Sequence, residues 1–270
     1  MSTLDSKQFL IMGIVNVTPD SFYDGGRYSQ IDAAVAHGLR LAQEGADILD
    51  IGGASSRPGA SIVDPEEECS RVVPVIEKLA RDFKGPISVD TTWSLTARAA
   101  LKAGASWVND ISAARFDPQI ANVVAELGAT VVLMHSRKTP QTMQHAPSYD
   151  DVIKEVSGEL LEAVSKFRAA GVGRERIILD PGIGFAKTFD HNIALLRGLE
   201  RLKELGFPLL VGTSRKAFIG KITERETEQR LWGSLGSVAS AYTRGARIFR
   251  VHDVKETLDF LKVFSTIENV

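Results

Sequence analysis

Residues 208–216, which read PLLVGTSRK, decide the fold of this chain. An apolar segment with the character of a strand stops abruptly there, at two hydroxyls and two cations. Seven other apolar runs end in the same way, in a polar or ionisable residue. Eight buried strands that deliver polar groups at their C-terminal ends are typical of a (β/α)₈ TIM barrel, whose active sites lie at that end. The other seven runs cover residues 11–16, 48–53, 87–90, 107–110, 131–135, 177–180 and 248–252.

Segments with helical spacing lie between these runs. One of them opens with Asp64 as a candidate N-cap and Pro65 at the first helical position, and Gly45 and Gly171 are candidate C-caps of two others. Strands that alternate with helices predict parallel pairing with right-handed crossovers. A doubly wound open sheet would share this alternation, and the strand count favours the barrel. The predicted helices cover residues 31–44, 65–83, 149–170, 192–205, 231–244 and 254–264.

Length and composition predict a single globular domain that covers residues 1–270. One such barrel typically has about 250 residues. A net charge of −2 argues against a surface for nucleic acid or anionic membranes. No apolar run approaches the ~20 residues of a membrane span, and the first residues lack the features of a signal peptide. A single cysteine, Cys69, excludes a disulfide framework. We therefore expect a cytoplasmic protein.

Carboxylate and amide side chains close several strands. Asp90, Asn109 and Asp180 could pair with a heterocycle that carries both N–H donors and ring acceptors. One such residue alone would more often cap a helix at a βα turn, but three that converge on one barrel mouth favour a ligand. Asp50 and Asp110 stay open between ligand contact and a buried structural role.

Cationic side chains form a second set. Arg250 and His252 are two residues apart, so on a strand their side chains point to the same face. Desolvated charge must be paired, and a phosphate or pyrophosphate would suit the bidentate geometry of arginine. Arg57 and Arg215 could contribute to the same anion site. The alternative is a group of internal salt bridges, with Asp50, Asp90 and Asp253 as partners.

Asn16, His135 and the segment 180–187 are three further candidates for a chemical role. Asn16 ends the first strand, and its amide oxygen suits a hard cation such as Mg²⁺, although a turn cap would explain it equally well. His135 follows a strand, where a satisfied core histidine is favoured over a ligand. Residues 180–187 have two of the glycines of a dinucleotide loop, but Lys187 stands where the third is expected. No G-x-S-x-G hydrolase elbow occurs.

Taken together, nine short motifs make the chain resemble the dihydropteroate synthase family from end to end. Each motif alone would be weak, but their combination and order are highly specific. They are GIVNVTPDSF (13–22), GGASSRPG (52–59), SVDT (88–91), VNDI (108–111), LMH (133–135), PQTMQ (140–144), DPGIGF (180–185), GTSRK (212–216) and RVHDV (250–254).

The resemblance implies a (β/α)₈ barrel that condenses 6-hydroxymethyl-7,8-dihydropterin pyrophosphate with 4-aminobenzoate, in folate synthesis. It also implies dependence on Mg²⁺, a homodimer and inhibition by sulfonamides. Carried over by motif, the pterin anchors are Asp90, Asn109, Asp180 and Lys216. The pyrophosphate side is Asn16, Arg57, Arg250 and His252, with Asn16 also on the metal. The aminobenzoate walls are Phe22, Ser56, Pro58 and Phe185. The residues expected to take part in catalysis are Lys216, Arg250, His252 and Asp90.

The chain departs from the family pattern at several positions. Ala217 matters most, because the family usually has Ser there, close to the aminobenzoate carboxylate. A pterin-binding methyltransferase acting on methyltetrahydrofolate is the alternative function, but it has no use for a pyrophosphate site. A non-catalytic paralogue is a third possibility, which the retention of the matched polar residues disfavours. The other departures are Ala54 for Glu, Ser56 for Thr, Ser136 for Met and Ala186 for Gly.

Overall fold

The structure, a computed structural model, describes residues 7–18, 27–55, 59–139, 141–143 and 147–268. Its centre is a sheet of eight strands, and each strand pair is parallel. All eight correspond to the apolar runs seen in the sequence. The strands are β1 Leu10–Asn16, β2 Ile48–Gly52, β3 Ile87–Asp90, β4 Trp107–Asp110, β5 Thr130–Met134, β6 Ile177–Asp180, β7 Leu210–Val211 and β8 Ile248–Val251.

The sheet closes on itself between β6 and β7. The strand order is β6-β5-β4-β3-β2-β1-β8-β7, which leaves β6 and β7 at the two ends. A parallel bridge joins Leu179 to Leu209, and the Leu179 N–H donates to the carbonyl of Pro208 at 3.0 Å. The prediction of a (β/α)₈ barrel is therefore confirmed, and the open doubly wound sheet is excluded.

Helices surround the barrel. Periodicity missed α3, α4 and α8, which are nine residues long or less and show too few turns for an apolar stripe. The predicted helix over 192–205 is divided at Gly198. No helix in the described ranges is long and apolar enough to cross a membrane. The helices are α1 Arg27–Gln43, α2 Pro65–Asp82, α3 Ser94–Lys102, α4 Ile120–Leu127, α5 Val152–Ala169, α6 Phe189–Arg197, α7 Leu199–Lys203, α8 Ala217–Thr223, α9 Leu231–Thr243 and α10 Val254–Glu268.

Helix ends follow the predicted capping. The Asp64 side chain accepts a hydrogen bond from Glu66 N at 2.9 Å, and Pro65 begins α2. Gly45, just beyond α1, has φ +102°, a left-handed conformation that glycine adopts without the steric cost of a Cβ. These short-range signals set where the connections to the strands begin.

The barrel interior has an apolar floor and a polar layer above it. Side chains on a strand alternate between its two faces, so residues two apart point the same way. Two positions beyond a floor residue, at the C-terminal ends of β2, β4, β6 and β8, the inward residue becomes Asp50, Asn109, Asp180 or Arg250. The sequence pattern therefore places the polar groups at one end of the barrel. The floor is made of Leu10, Met12, Ile48, Trp107, Val132, Ile178, Leu210 and Ile248.

Candidate active site

A cavity of about 1010 Å³ opens at the C-terminal ends of the strands. Eight of the predicted site residues line it, although they come from six separate strands or the loops that follow them. The four others, Phe22, Ser56, Arg57 and Pro58, lie outside the described residues. The eight that line the cavity are Asn16, Asp90, Asn109, Asp180, Phe185, Lys216, Arg250 and His252.

Arg250 bridges two carboxylates on one side of this cavity. Its Nε donates to Asp50 Oδ2 at 2.6 Å, and its Nη2 donates to Asp90 Oδ2 at 2.7 Å. Burial raises the pKa of Asp90; the Arg250 guanidinium opposes this shift, and the Asp50 carboxylate adds to it. The internal salt bridges left open by the sequence are therefore present, and they fix the Arg250 side chain in the barrel mouth.

Asn109 is oriented by the same cluster. Its Nδ2 donates to Asp50 Oδ2 at 3.0 Å, which leaves the amide oxygen as the acceptor for a ligand N–H. Asp50 is fully buried and is absent from the cavity lining. Asp50 therefore has the structural role, because it orients Arg250 and Asn109 without lining the cavity itself.

Asp110 is also structural. It is fully buried, and its carboxylate accepts from Ser112 N at 2.8 Å and from Ala114 N at 2.6 Å. Burial raises its pKa to about 6, and the hydrogen bonds from Ser112 oppose the shift. It closes the loop after β4, outside the cavity lining.

Asp180, Lys216 and Phe185 form the opposite wall. Asp180 Oδ1 accepts from Gly182 N at 2.7 Å, and burial raises the Asp180 pKa to about 6 against that hydrogen bond and the nearby lysines. Lys216 Nζ lies 4.2 Å from the centre of the Phe185 ring, within cation–π range. Burial lowers the pKa of Lys216 to about 8, and Asp180 opposes the shift. This wall therefore offers a carboxylate and an ammonium to a ligand.

The loop after β7 separates its two cations. Arg215 has φ +57°, a left-handed conformation that is uncommon for a residue with a Cβ. Its guanidinium pairs with Asp253, at 3.0 Å for Nε to Oδ2, whereas Lys216 faces Asp180 and Phe185. For Arg215, too, the salt-bridge alternative is the one observed.

His252 is held as a neutral imidazole. Its Nδ1 lies 3.0 Å from Ser214 Oγ, and that hydroxyl also accepts from the His252 N–H at 3.2 Å. Burial and the neighbouring Arg250 guanidinium together lower the pKa of His252 to about 4. At neutral pH this pKa favours an uncharged ring, whereas the sequence placed His252 among the cations; its assignment to the pyrophosphate side stays a prediction.

Sequence reasoning missed Lys187 as a member of this site. Lys187 lines the cavity yet is only 2% exposed, and its Nζ lies 3.0 Å from His135 Nδ1. His135 is buried and has partners on both ring nitrogens, as expected of a satisfied core histidine. The available signal is a lysine at the end of the glycine-containing loop after β6, which the sequence alone presents only as a departure from the dinucleotide pattern.

Sequence comparisons agree with this geometry. A sequence model of the family described as "Pterin binding enzyme" matches residues 12–252. A dihydropteroate synthase of Synechocystis sp. is 49% identical over 95% of this chain and 89% of its own length. A dihydropteroate synthase of Escherichia coli is 44% identical over 97% of this chain and 93% of its own length. These relatives favour the synthase over the methyltransferase alternative.

Solved structures show the same fold with ligands. A dihydropteroate synthase of Xanthomonas albilineans with 4-aminobenzoic acid has a TM-score of 0.93 and 50% identity, covering 100% of this chain and 96% of its own. The same enzyme in complex with 7,8-dihydropteroate has a TM-score of 0.89 and 47% identity, again over 100% of this chain and 96% of its own.

Proposed function

This chain belongs to the pterin-binding enzyme family and catalyses dihydropteroate synthesis, and we propose that the reaction takes place between the two walls of the barrel mouth. The substrates are 6-hydroxymethyl-7,8-dihydropterin pyrophosphate and 4-aminobenzoate, and the products are 7,8-dihydropteroate and pyrophosphate. The observation that carries the proposal is the convergence of hydrogen-bond acceptors and cations from six strands on one cavity.

The pterin ring is assigned to Asp180, Asn109, Asp90 and Lys216. Asp180 can accept from a ring N–H and the exocyclic amine at once, and such charge-assisted bonds are the stronger kind. Asn109 offers its amide oxygen because its nitrogen is committed to Asp50. Lys216 can donate to a ring acceptor, from a position beside Asp180.

The pyrophosphate is assigned to Arg250, His252, Arg57 and Asn16. Arg250 keeps donors beyond the two that bind Asp50 and Asp90, since a guanidinium has five N–H groups. A dianionic phosphate beside His252 would raise the pKa of the imidazole. His252 could then bind the leaving group as a cation, although it is neutral before the anion arrives.

Mg²⁺ is assigned to Asn16 together with the substrate. The donor set fits this ion, because Asn16 supplies one amide oxygen at the edge of the cavity and Mg²⁺ usually keeps several waters beside substrate phosphates. Among the described residues, no group of three or more His, Cys, Asp or Glu is placed to hold a metal. When bound, the ion would neutralise charge on the pyrophosphate.

The aminobenzoate pocket is assigned to Phe185, Phe22, Ser56 and Pro58. Phe185 is 7% exposed and presents part of its ring to the cavity. Ala217, the first residue of α8, lines the same cavity and offers no hydroxyl for the carboxylate. Because sulfonamides share the aniline group of the substrate, we expect them to compete for this pocket.

The residues suit a dissociative substitution. The C–O bond to pyrophosphate breaks as the dihydropterin ring nitrogen supplies electrons, and a cationic methylene results. Arg250 faces the charge that grows on the leaving group, while Asp180 and Asp90 face the electron-poor ring, to which Lys216 also donates. The aniline nitrogen is uncharged at neutral pH, so it attacks without a strong general base, and its proton passes to the departing pyrophosphate or to solvent.

The direct experiment incubates the purified protein with both substrates and Mg²⁺ and measures pyrophosphate release. Release that depends on 4-aminobenzoate is expected, and its failure would contradict the proposal. Excess chelator should abolish this turnover while sparing the binding of a pterin that lacks pyrophosphate. Turnover that survives chelation would exclude the metal role.

We also propose that the protein is a cytoplasmic homodimer. Trp232 on α9 is 78% exposed and Ile222 on α8 is 59% exposed, and contact with a second copy would bury such side chains. Light scattering after size exclusion would measure the mass, and Trp232→Glu should lower it if this face is the interface. Cell fractionation tests the location.

A further inference from the structure

Lys187 is a buried lysine to which the reaction assigns no role. Its Nζ donates to the carbonyl of Phe185 at 2.9 Å and lies 3.0 Å from His135 Nδ1. Lys187 is 2% exposed, so these hydrogen bonds must offset the free-energy cost of removing its amine from water. Burial lowers the pKa of Lys187 to about 7, and Asp180 opposes the shift.

Hydrogen bonding fixes the direction of this contact. His135 Nε2 lies 3.0 Å from Glu159 Oε2, and because a carboxylate only accepts, Nε2 carries the proton. Burial and the neighbouring Lys187 lower the pKa of His135 to about 4, so the ring is neutral and Nδ1 is an acceptor. Lys187 is therefore the donor, at the inner end of a chain that runs through His135 to Glu159.

The outer end of the chain is anchored on α5. Burial alone would raise the pKa of Glu159, but hydrogen bonds from His135 and Arg137 hold it well below its usual range. Arg137 donates to Glu159 through Nε at 2.8 Å, and Arg115 pairs with the same carboxylate. Glu159 is consequently held ionised and in place.

The segment before Lys187 adopts an uncommon backbone conformation and lies against the cavity. Gly182, Gly184 and Ala186 all have left-handed φ values, of +68°, +84° and +49°. A Cβ on Gly182 would lie 2.0 Å from the His135 carbonyl oxygen, so the segment packs directly on that strand end. Tyr149 Oη donates to Ala186 O at 3.0 Å. A backbone in sparsely populated conformations persists only where such contacts over-determine it.

We infer that Lys187, anchored through His135 to Glu159, is a positioning residue that fixes Phe185 and so shapes the pocket for the aromatic amine. Phe185 connects Lys187 to the substrate site, because Lys187 binds its carbonyl while its ring forms part of the cavity wall. The ring centre lies 4.2 Å from Lys216 Nζ. This inference rests on the proposed function, which assigns the Phe185 wall to 4-aminobenzoate.

The test compares Lys187→Met with Lys187→Gln. Met removes every donor, whereas Gln keeps an N–H group for the Phe185 carbonyl. For Lys187→Met we expect the KM for 4-aminobenzoate to rise about tenfold, the cost of losing a charge-assisted hydrogen bond, with kcat changed by less than about threefold. The inhibition constant of a sulfonamide should rise in parallel. Lys187→Gln should recover part of both losses.

Amide hydrogen exchange of residues 181–186 supplies a readout that does not depend on turnover. Exchange should be faster in Lys187→Met and, to a smaller extent, in Glu159→Gln, which keeps an acceptor for His135 but removes its charge. Val156→Ala is the matched control, since Val156 is a fully buried α5 residue outside the cavity lining. It should lower the melting temperature without affecting the KM or the exchange of this segment.

Several outcomes would overturn the inference. An unchanged KM and unchanged exchange in a folded Lys187→Met protein would do so, as would an equal rise in KM for Val156→Ala. If Lys187→Met does not fold, Lys187→Gln and Glu159→Gln carry the same comparison. A wild-type protein without turnover would overturn the proposed function instead, and hydrogen exchange would still decide the anchoring.

Discussion

The two walls of the barrel mouth hold their carboxylates in opposite ways. Asp50 and Asp90 are both bound by Arg250, at 2.6 and 2.7 Å, before any ligand arrives. Asp180 accepts from Gly182 N, and within the described residues it makes no salt bridge. The wall that contains Arg250 is thus an electrostatic framework whose charges are already paired within the protein. The wall that contains Asp180 keeps hydrogen-bonding capacity for a substrate.

Removing the framework cation should have the largest effect. Arg250→Met leaves two carboxylates without their shared partner in a buried site, and breaking such a buried pair costs about 3–5 kcal/mol of the free energy of unfolding. Turnover should be abolished as well. Urea unfolding of the variant measures the loss. Arg98→Met, which breaks an exposed pair with Glu126, is the control and should barely move the midpoint. An equal effect of the two changes would refute the contrast.

Asp180→Asn should instead weaken pterin binding in a protein that stays stable. Asn presents an NH₂ group where the ligand presents an N–H, and an unpaired buried donor costs about 1–3 kcal/mol, or roughly tenfold to several hundredfold in affinity. Calorimetric titration with a pterin, beside a melting curve, separates the two effects. Asp110→Asn is the converse control, since it should cost stability and leave affinity nearly unchanged. Unchanged pterin affinity in folded Asp180→Asn would make Asp180 a structural cap.

Ligand binding at the wall formed by Asp180, Lys216 and Phe185 should also depend on pH. The pKa of Asp180 is about 6, so its carboxylate becomes protonated as the pH falls below 6. The pKa of Lys216 is about 8, so its ammonium loses a proton as the pH rises above 8. Binding of a pterin without pyrophosphate should therefore be tightest between these values and weaken by up to about tenfold per pH unit beyond them. Fluorescence titration across pH measures this profile. Lys216→Arg should abolish the alkaline decline, and a decline that persists would assign it to another group.

Ala217→Ser should give the smallest effect. A hydroxyl at the start of α8 adds one hydrogen bond toward the aminobenzoate carboxylate, worth about 1 kcal/mol or roughly fivefold in affinity. The KM for 4-aminobenzoate and the inhibition constant of a sulfonamide should fall together, with the pterin KM unchanged. A fall in the pterin KM alone would place Ala217 elsewhere in the site.

Much of the site was predictable because strand periodicity carries the information. Asp90, Asn109, Asp180 and Arg250 end apolar runs, and a parallel barrel brings such ends to one mouth. The same period places Asp50 on the inner face, so sequence alone could not tell a ligand contact from a support. That distinction depends on how deep in the barrel the side chain lies, and the stagger between neighbouring strands determines this depth.

Other features needed three-dimensional partners. The neutral state of His252 follows from burial beside Arg250, and two residues of spacing on a strand do not reveal it. Lys187 acquires its role only through His135 and Glu159. Lys187 and His135 are 52 positions apart in the sequence, and His135 and Glu159 are 24 positions apart. The helices α3 and α4 were missed because each has too few turns to show a period, and the apolar content of α4 would suit a strand equally well.

The closure of the barrel between β6 and β7 has a mechanical consequence. Strand β7 has two residues, and the described backbone pairing across this junction is a single bridge, Leu179 with Leu209, supported by one hydrogen bond to Pro208. This seam runs directly between the strand that carries Asp180 and the loop that carries Lys216. We therefore expect Asp180 and Lys216 to move relative to each other more readily than Arg250 moves relative to Asp50 and Asp90, which it binds directly.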